Sequence, residues 1–135
     1  MQNLIKQSWV IIGLRLSFAA IFLSAVADRF GMWPMDVSAW GNWESFVTYT
    51  YSLNPWFPKR IMPLISGIVT FLEIVFSILL IINYKVKQTA FLSSILLFLF
   101  VFAMSLTIGV KSMLDYGVLP LAFSAMALFY FSDKK

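Results

Sequence analysis

The 135-residue chain has no cysteine and no histidine. Without cysteine it forms no structural disulfide, runs no thiol–disulfide relay, and offers no thiolate to zinc or an iron–sulfur cluster. Without histidine it lacks a common haem ligand and the side chain that most often moves protons near neutral pH. No metal site and no intrinsic cofactor motif can be read from what remains. Charge is also scarce: 12% of the residues are charged, against roughly 25% in soluble domains. The ten basic and six acidic residues leave a net charge of +4. The cations are scattered rather than gathered in a patch, which argues against nucleic acid as a partner. No linker, low-complexity tract or internal repeat breaks the chain, so residues 1–135 read as one domain.

Apolar residues take the place of the missing charge. Hydrophobic side chains make up 61% of the sequence, and the mean hydropathy is +0.87. A chain this short cannot bury that excess in its own core, so lipid must solvate much of it. A spanning helix needs about 20 apolar residues. Segments 9–27, 63–82, 89–110 and 118–131 are the four candidates, the last one short. The expected fold is an all-α membrane protein, a four-transmembrane-helix bundle. With four spans, Lys6, Lys85, Lys87, Lys134 and Lys135 share one side of the membrane. Arg29, Lys59, Arg60 and Lys111 lie on the other, balanced by Asp28, Asp36, Glu44 and Asp115. The positive-inside rule then places both termini in the cytoplasm.

Ala25-Val26-Ala27, just before Asp28, reads like a signal-peptidase site. The apolar run ahead of it is longer than a signal peptide's core, and Arg15 interrupts it. The segment is therefore expected to remain as the first transmembrane helix. In the long loop that follows, residues 40–53 carry Trp40, Trp43, Val47 and Tyr51 at helical spacing. Trp and Tyr favour the headgroup level, so a short amphipathic helix on the outer leaflet is expected, with Trp33, Trp40, Trp43 and Trp56 as interfacial anchors. A lid over a binding site is the sharper alternative.

Ionisable groups at bilayer depth cost about 2.5–3.5 kcal/mol each on insertion scales, so they need partners or a purpose. Glu73 lies near the middle of the second span, and Ser66, Thr70, Glu73 and Ser77 share one helical stripe. Arg15 in the first span is the expected counter-charge, at a depth within about 5 Å of Glu73; the alternative is that Arg15 snorkels to the cytoplasmic headgroups and leaves Glu73 to other partners. Gly13, Ser17, Ala20, Ser24 and Ala27 form a small-residue stripe nearly opposite Arg15 and Arg29, a face suited to close helix contact and to a homodimer. A second polar cluster gathers at the outer ends: Asp28, Arg29, Lys111, Asp115 and Tyr116. It reads either as anchors pairing in water or as the mouth of a cavity, with Asp28 and Lys111 on a polar head.

The run LRLSFAAIFLSAVADRFG resembles the opening of the DoxX-like family of small four-helix membrane proteins, with Arg15 and Arg29 at that family's two basic positions. The stretches WGNWESFVTYTYSLNPWFP, TFLEIVFSILLI and FAMSLTIGVKSMLDYGV resemble a subgroup of it. The glycine often found before the second basic position is replaced here by the Ala25–Ala27 stretch. The resemblance implies a four-helix bundle. It also implies association with membrane oxidoreductase complexes, including quinone-linked thiosulfate oxidation, and with oxidative-stress defence. The expected location is a cell membrane, a bacterial inner membrane.

Two functional classes follow. The first is a lipid-binding or membrane-assembly protein in which Arg15 and Glu73 lock the bundle. The alternative is the membrane subunit of a quinone-linked oxidoreductase. It would hold a quinone or other isoprenoid with Glu73 as proton acceptor, and would need a soluble or membrane oxidoreductase partner to deliver electrons. Transport of a small solute would require an oligomer. No self-contained catalytic constellation is visible, which favours binding or assembly.

Overall fold

The computed structural model describes residues 2–132, with side chains from residue 8 onward. Lys134, Lys135 and the side chain of Lys6, three of the cations used to orient the chain, lie outside the described residues. The elements are α1 (Gln2–Arg29), α2 (Trp43–Leu53), a 3₁₀ turn (Lys59–Ile61), α3 (Met62–Ile81), α4 (Val86–Thr107), α5 (Val110–Asp115) and α6 (Val118–Phe131). No strand occurs among the described residues.

Three helical stretches are long and apolar enough to cross a membrane: Ser8–Arg29, Lys59–Ile81 and Val86–Thr107. The chain is thus built for a membrane. The helix α6 is apolar but has 14 residues, about 21 Å at 1.5 Å per residue, short of a hydrocarbon core of roughly 30 Å.

Local chemistry sets the helix boundaries. Pro63 sits in the first turn of α3, where its missing N–H costs nothing. Asn42 caps α2, its Oδ1 accepting from Ser45 N at 2.8 Å. Asn83 takes a left-handed φ of 61° in the tight α3–α4 turn, a conformation Asn tolerates.

The helix α1 packs along α3, and α4 along α6, while the α1–α6 and α3–α4 seams are looser. The helix α2 lies across α3 and α4, at the end of the bundle where α1 finishes and α3 begins. Phe18, Phe22, Phe76, Leu80, Leu97, Ala122, Ala125 and Leu128 form the core.

Two sequence expectations are resolved by this packing. On α1, Phe18, Ala19, Phe22, Val26 and Arg29 are buried, while Gly13, Ser17, Ala20 and Ser24 are exposed. The basic face therefore points into the bundle and the small-residue face points out. The amphipathic segment forms a helix only from Trp43, and its buried residues are Phe46, Thr50 and Leu53. Those positions follow i, i+4, i+7 spacing. The expected Trp43–Val47–Tyr51 stripe is only half-buried, because α2 presses against other helices as well as facing outward.

Candidate functional site

The stripe on α3 is buried along its whole length: Ser66, Thr70, Glu73 and Ser77 all face inward. Thr70 and Ser77 satisfy their hydroxyls within the helix, donating to Ser66 O at 2.8 Å and Glu73 O at 2.7 Å. This back-bonding is how hydroxyls are accommodated where water is absent. Glu73 cannot solve its problem that way and needs a cation.

That cation is Arg29. Its Nη1 lies 2.5 Å from Glu73 Oε2 and donates to Thr70 Oγ1 at 2.8 Å. Both partners are nearly sealed, Arg29 at 2% exposure and Glu73 at 3%. The guanidinium is also covered by the Phe46 ring, 3.8 Å from its carbon to the centroid, with Trp40 at 5.4 Å. A desolvated cation over aromatic faces gains from the ring quadrupoles. One arginine thus ties α1, α2 and α3 together.

The expected Arg15–Glu73 pair does not form. Arg15 Nε donates to Leu80 O at 2.9 Å and its Nη2 to Ile81 O at 3.3 Å, so Arg15 caps the carboxyl end of α3. Carbonyls there lack intrahelical donors and carry the negative end of the helix dipole. The α1–α3 register explains the exchange of partners. Arg15 lies beside Leu80, and Ser77 Oγ donates to Ala19 O at 3.5 Å. Arg15 is therefore about seven residues, roughly 10 Å, from the level of Glu73. Helical side chains lean toward their own amino terminus. Arg15 leans away from Glu73, whereas Arg29 and Glu73 lean toward each other.

Asp28, next to Arg29, holds the loop that precedes α2. Its Oδ2 accepts from Ala39 N at 2.7 Å, and its Oδ1 from Trp40 N at 3.1 Å and Gly41 N at 2.8 Å. The expected outer cluster therefore divides. Asp28 and Arg29 turn inward, while Lys111 and Asp115 pair with each other at 2.7 Å on exposed α5, a contact worth well under about 1 kcal/mol. Tyr116 remains exposed but lines the cavity described next.

The tryptophans divide as well. Trp33 Nε1 donates to Ser24 O at 3.0 Å, Trp43 stacks on Phe30 at 5.8 Å, and Trp56 is exposed. Trp40 packs edge-on against Phe46 at 5.0 Å and forms part of a cavity wall.

That cavity, of about 530 Å³, lies between the two helix pairs beneath α2. Ile21, Phe22 and Ala25 line it from α1, Leu97, Phe100 and Met104 from α4, and Val118 and Leu121 from α6. Trp40, Phe46, Tyr49 and Leu53 cover it, and Arg29 and Glu73 are the charged residues in its wall. Its volume falls within the range of ordinary small-molecule pockets, as does its plan of apolar walls with a few convergent polar groups. Burial pushes the Tyr49 phenol above its usual pKa, and the neighbouring Tyr116 adds to the shift, so Tyr49 stays a neutral hydroxyl. Ile21 and Tyr116, both exposed, mark an opening beside the α1–α6 seam.

Four buried side-chain atoms make no hydrogen bond among the described residues: Ser66 Oγ, Ser93 Oγ, Arg29 Nε, and Glu73 Oε2, which has only its ion pair with Arg29. No group of three or more metal-ligating acidic side chains occurs among the described residues. Sequence reasoning found Glu73 and its stripe because polar residues stand out in an apolar span. It missed the wall contributed by Leu97, Phe100 and Met104, which look like any lipid-facing residues of α4. No family model, no curated protein and no solved structure matches this chain.

Proposed function

We propose that this protein is a membrane-embedded binding protein for an amphipathic lipid, held in the cavity with its polar end at Arg29 and Glu73. The observation that carries this reading is an apolar cavity inside a chain built for the bilayer, with one buried ion pair in its wall. Two charges at bilayer depth are costly to retain and mark functional sites more often than chance placement does.

The proposed architecture is a four-span bundle with α2 as a cap at the outer leaflet and both termini in the cytoplasm. The helix α6 supports a fourth span. It lies along α4, buries Ala122, Ala125 and Leu128, and turns Phe123, Met126 and Tyr130 outward, as a lipid-facing helix does. Local thinning of the bilayer would accommodate its length. This plan agrees with the resemblance to DoxX-like proteins, which we retain as a proposal of kinship, in a bacterial inner membrane.

The second reading, a quinone-holding subunit of an oxidoreductase complex, rests on the same cavity. Its aromatic cover of Trp40, Phe46 and Tyr49 suits a planar ring, and electrons would come from a partner protein. Photo-crosslinking with a diazirine-tailed lipid tests the common element of both readings. Labelling at the lining residues Phe22, Ala25, Leu97, Phe100 and Met104, assigned residue by residue, is expected. Labels confined to outward residues such as Leu99, Phe102 and Leu106 would contradict a lipid in the cavity.

A further inference from the structure

The charges around the cavity narrow the class of lipid, given the reading of the cavity as a lipid site. Arg29 and Glu73 are the charged side chains in the wall, and they neutralise each other at 2.5 Å. Asp28, the next nearest acid in sequence, is occupied by three backbone N–H groups. Lys111 is exposed and already paired with Asp115. An anionic head entering this space would meet no free cation among the lining residues, and burying an uncompensated charge is strongly unfavourable. A cationic head would likewise meet no free anion.

Hydrogen-bonding capacity nevertheless remains. Nη1 of Arg29 is engaged by Thr70 and Glu73, but its Nη2 makes no hydrogen bond to a described residue. The same holds for Oε1 of Glu73, and both residues line the cavity. The wall thus offers a donor and an acceptor side by side, with the Tyr49 hydroxyl on the covering helix. A hydroxyl both donates and accepts, so one such group can serve both atoms.

We propose that the cavity selects an uncharged, hydroxyl-bearing single-tail amphiphile from the bilayer and rejects the phosphorylated form of the same molecule. The polar head sits against Arg29 and Glu73, and the tail leaves past Ile21 toward the lipid.

A matched pair of probes tests this without altering the charged residues: mono-oleoylglycerol and oleoyl lysophosphatidate, which share tail and glycerol and differ in the phosphate. The purified protein is offered an equimolar mixture in mild detergent, and one-to-one adducts are counted by native mass spectrometry. An Ala25→Phe variant, which fills the cavity from α1, reports whether an adduct sits there. The expected result is an excess of the neutral adduct by more than about tenfold, a factor worth about 1.4 kcal/mol, lost in Ala25→Phe. A lysophosphatidate adduct of equal or greater abundance, also lost in Ala25→Phe, overturns the selectivity while lipid binding stands. Adducts indifferent to Ala25→Phe, or none, overturn both the selectivity and the lipid site on which it rests.

Discussion

Arg29 at the end of α1 reaches back 2.5 Å from Glu73 in the middle of α3, and both are almost wholly removed from solvent. An ion pair in such a place is held less by its own attraction than by the penalty for leaving either member alone. Glu73→Ala and Arg29→Ala should each destabilise the fold by about 3–5 kcal/mol. The double replacement Arg29→Met/Glu73→Leu should cost clearly less than the sum of the two. Thermal unfolding in detergent provides the comparison, and additive losses would mean that the two charges are not coupled.

Arg15 should behave as an independent helix cap. It is partly exposed and, among the described residues, bonds only to the carbonyls of Leu80 and Ile81, so Arg15→Ala should cost about 1 kcal/mol after allowance for screening. Combined with Glu73→Ala, its effect should add within about 0.5 kcal/mol. A coupling several times larger in the same melting assay would restore the direct Arg15–Glu73 pair.

Asp28 should govern the approach to α2. Three backbone amides, those of Ala39, Trp40 and Gly41, donate to its carboxylate. Asp28→Ala leaves them without that acceptor, and their hydrogen exchange should accelerate by about tenfold or more. Amides in α4 should exchange as before. Unchanged protection at residues 39–41 would show that Trp40 and Phe46 hold the loop without Asp28.

The absence of cysteine gives a clean background for topology. Single cysteines placed at half-buried Ser38 and exposed Gln88 should react differently with a membrane-impermeant maleimide. Ser38→Cys should label in intact cells and Gln88→Cys only after lysis. The reverse pattern would invert the proposed orientation.

How much could be read from the sequence depended on what each residue type reveals by itself. The apolar runs announced a membrane protein, and Glu73 with Ser66, Thr70 and Ser77 declared an inward face because lipid does not tolerate such a stripe. The partner of Glu73 is Arg29, not the Arg15 that span depth suggests. Depth along the expected spans puts Arg15 nearly level with Glu73, but side-chain lean separates the two and brings in Arg29. That rule is general and could have been applied to the sequence, given the pairing of α1 with α3. The cavity was not legible. Leu97, Phe100 and Met104 line it while Leu99 and Phe102 on the same helix are exposed. Within the apolar run 95–104 nothing marks which side meets empty space, and the one polar cue to the lining side is buried Ser93, a turn before Leu97 on the same stripe. Trp40 carried a misleading signal, since an indole suits a headgroup as well as it suits a cavity wall.

The central claim is that a lipid occupies the space between Arg29, Glu73 and the apolar walls. The most direct measurement is mass spectrometry of the small molecules retained when the protein is purified gently from its own membrane, beside the Ala25→Phe variant. One defined amphiphile in near one-to-one amount, absent from the variant, is the result expected. Bulk phospholipid carried equally by both proteins would contradict the claim and leave the Arg29–Glu73 pair as architecture alone.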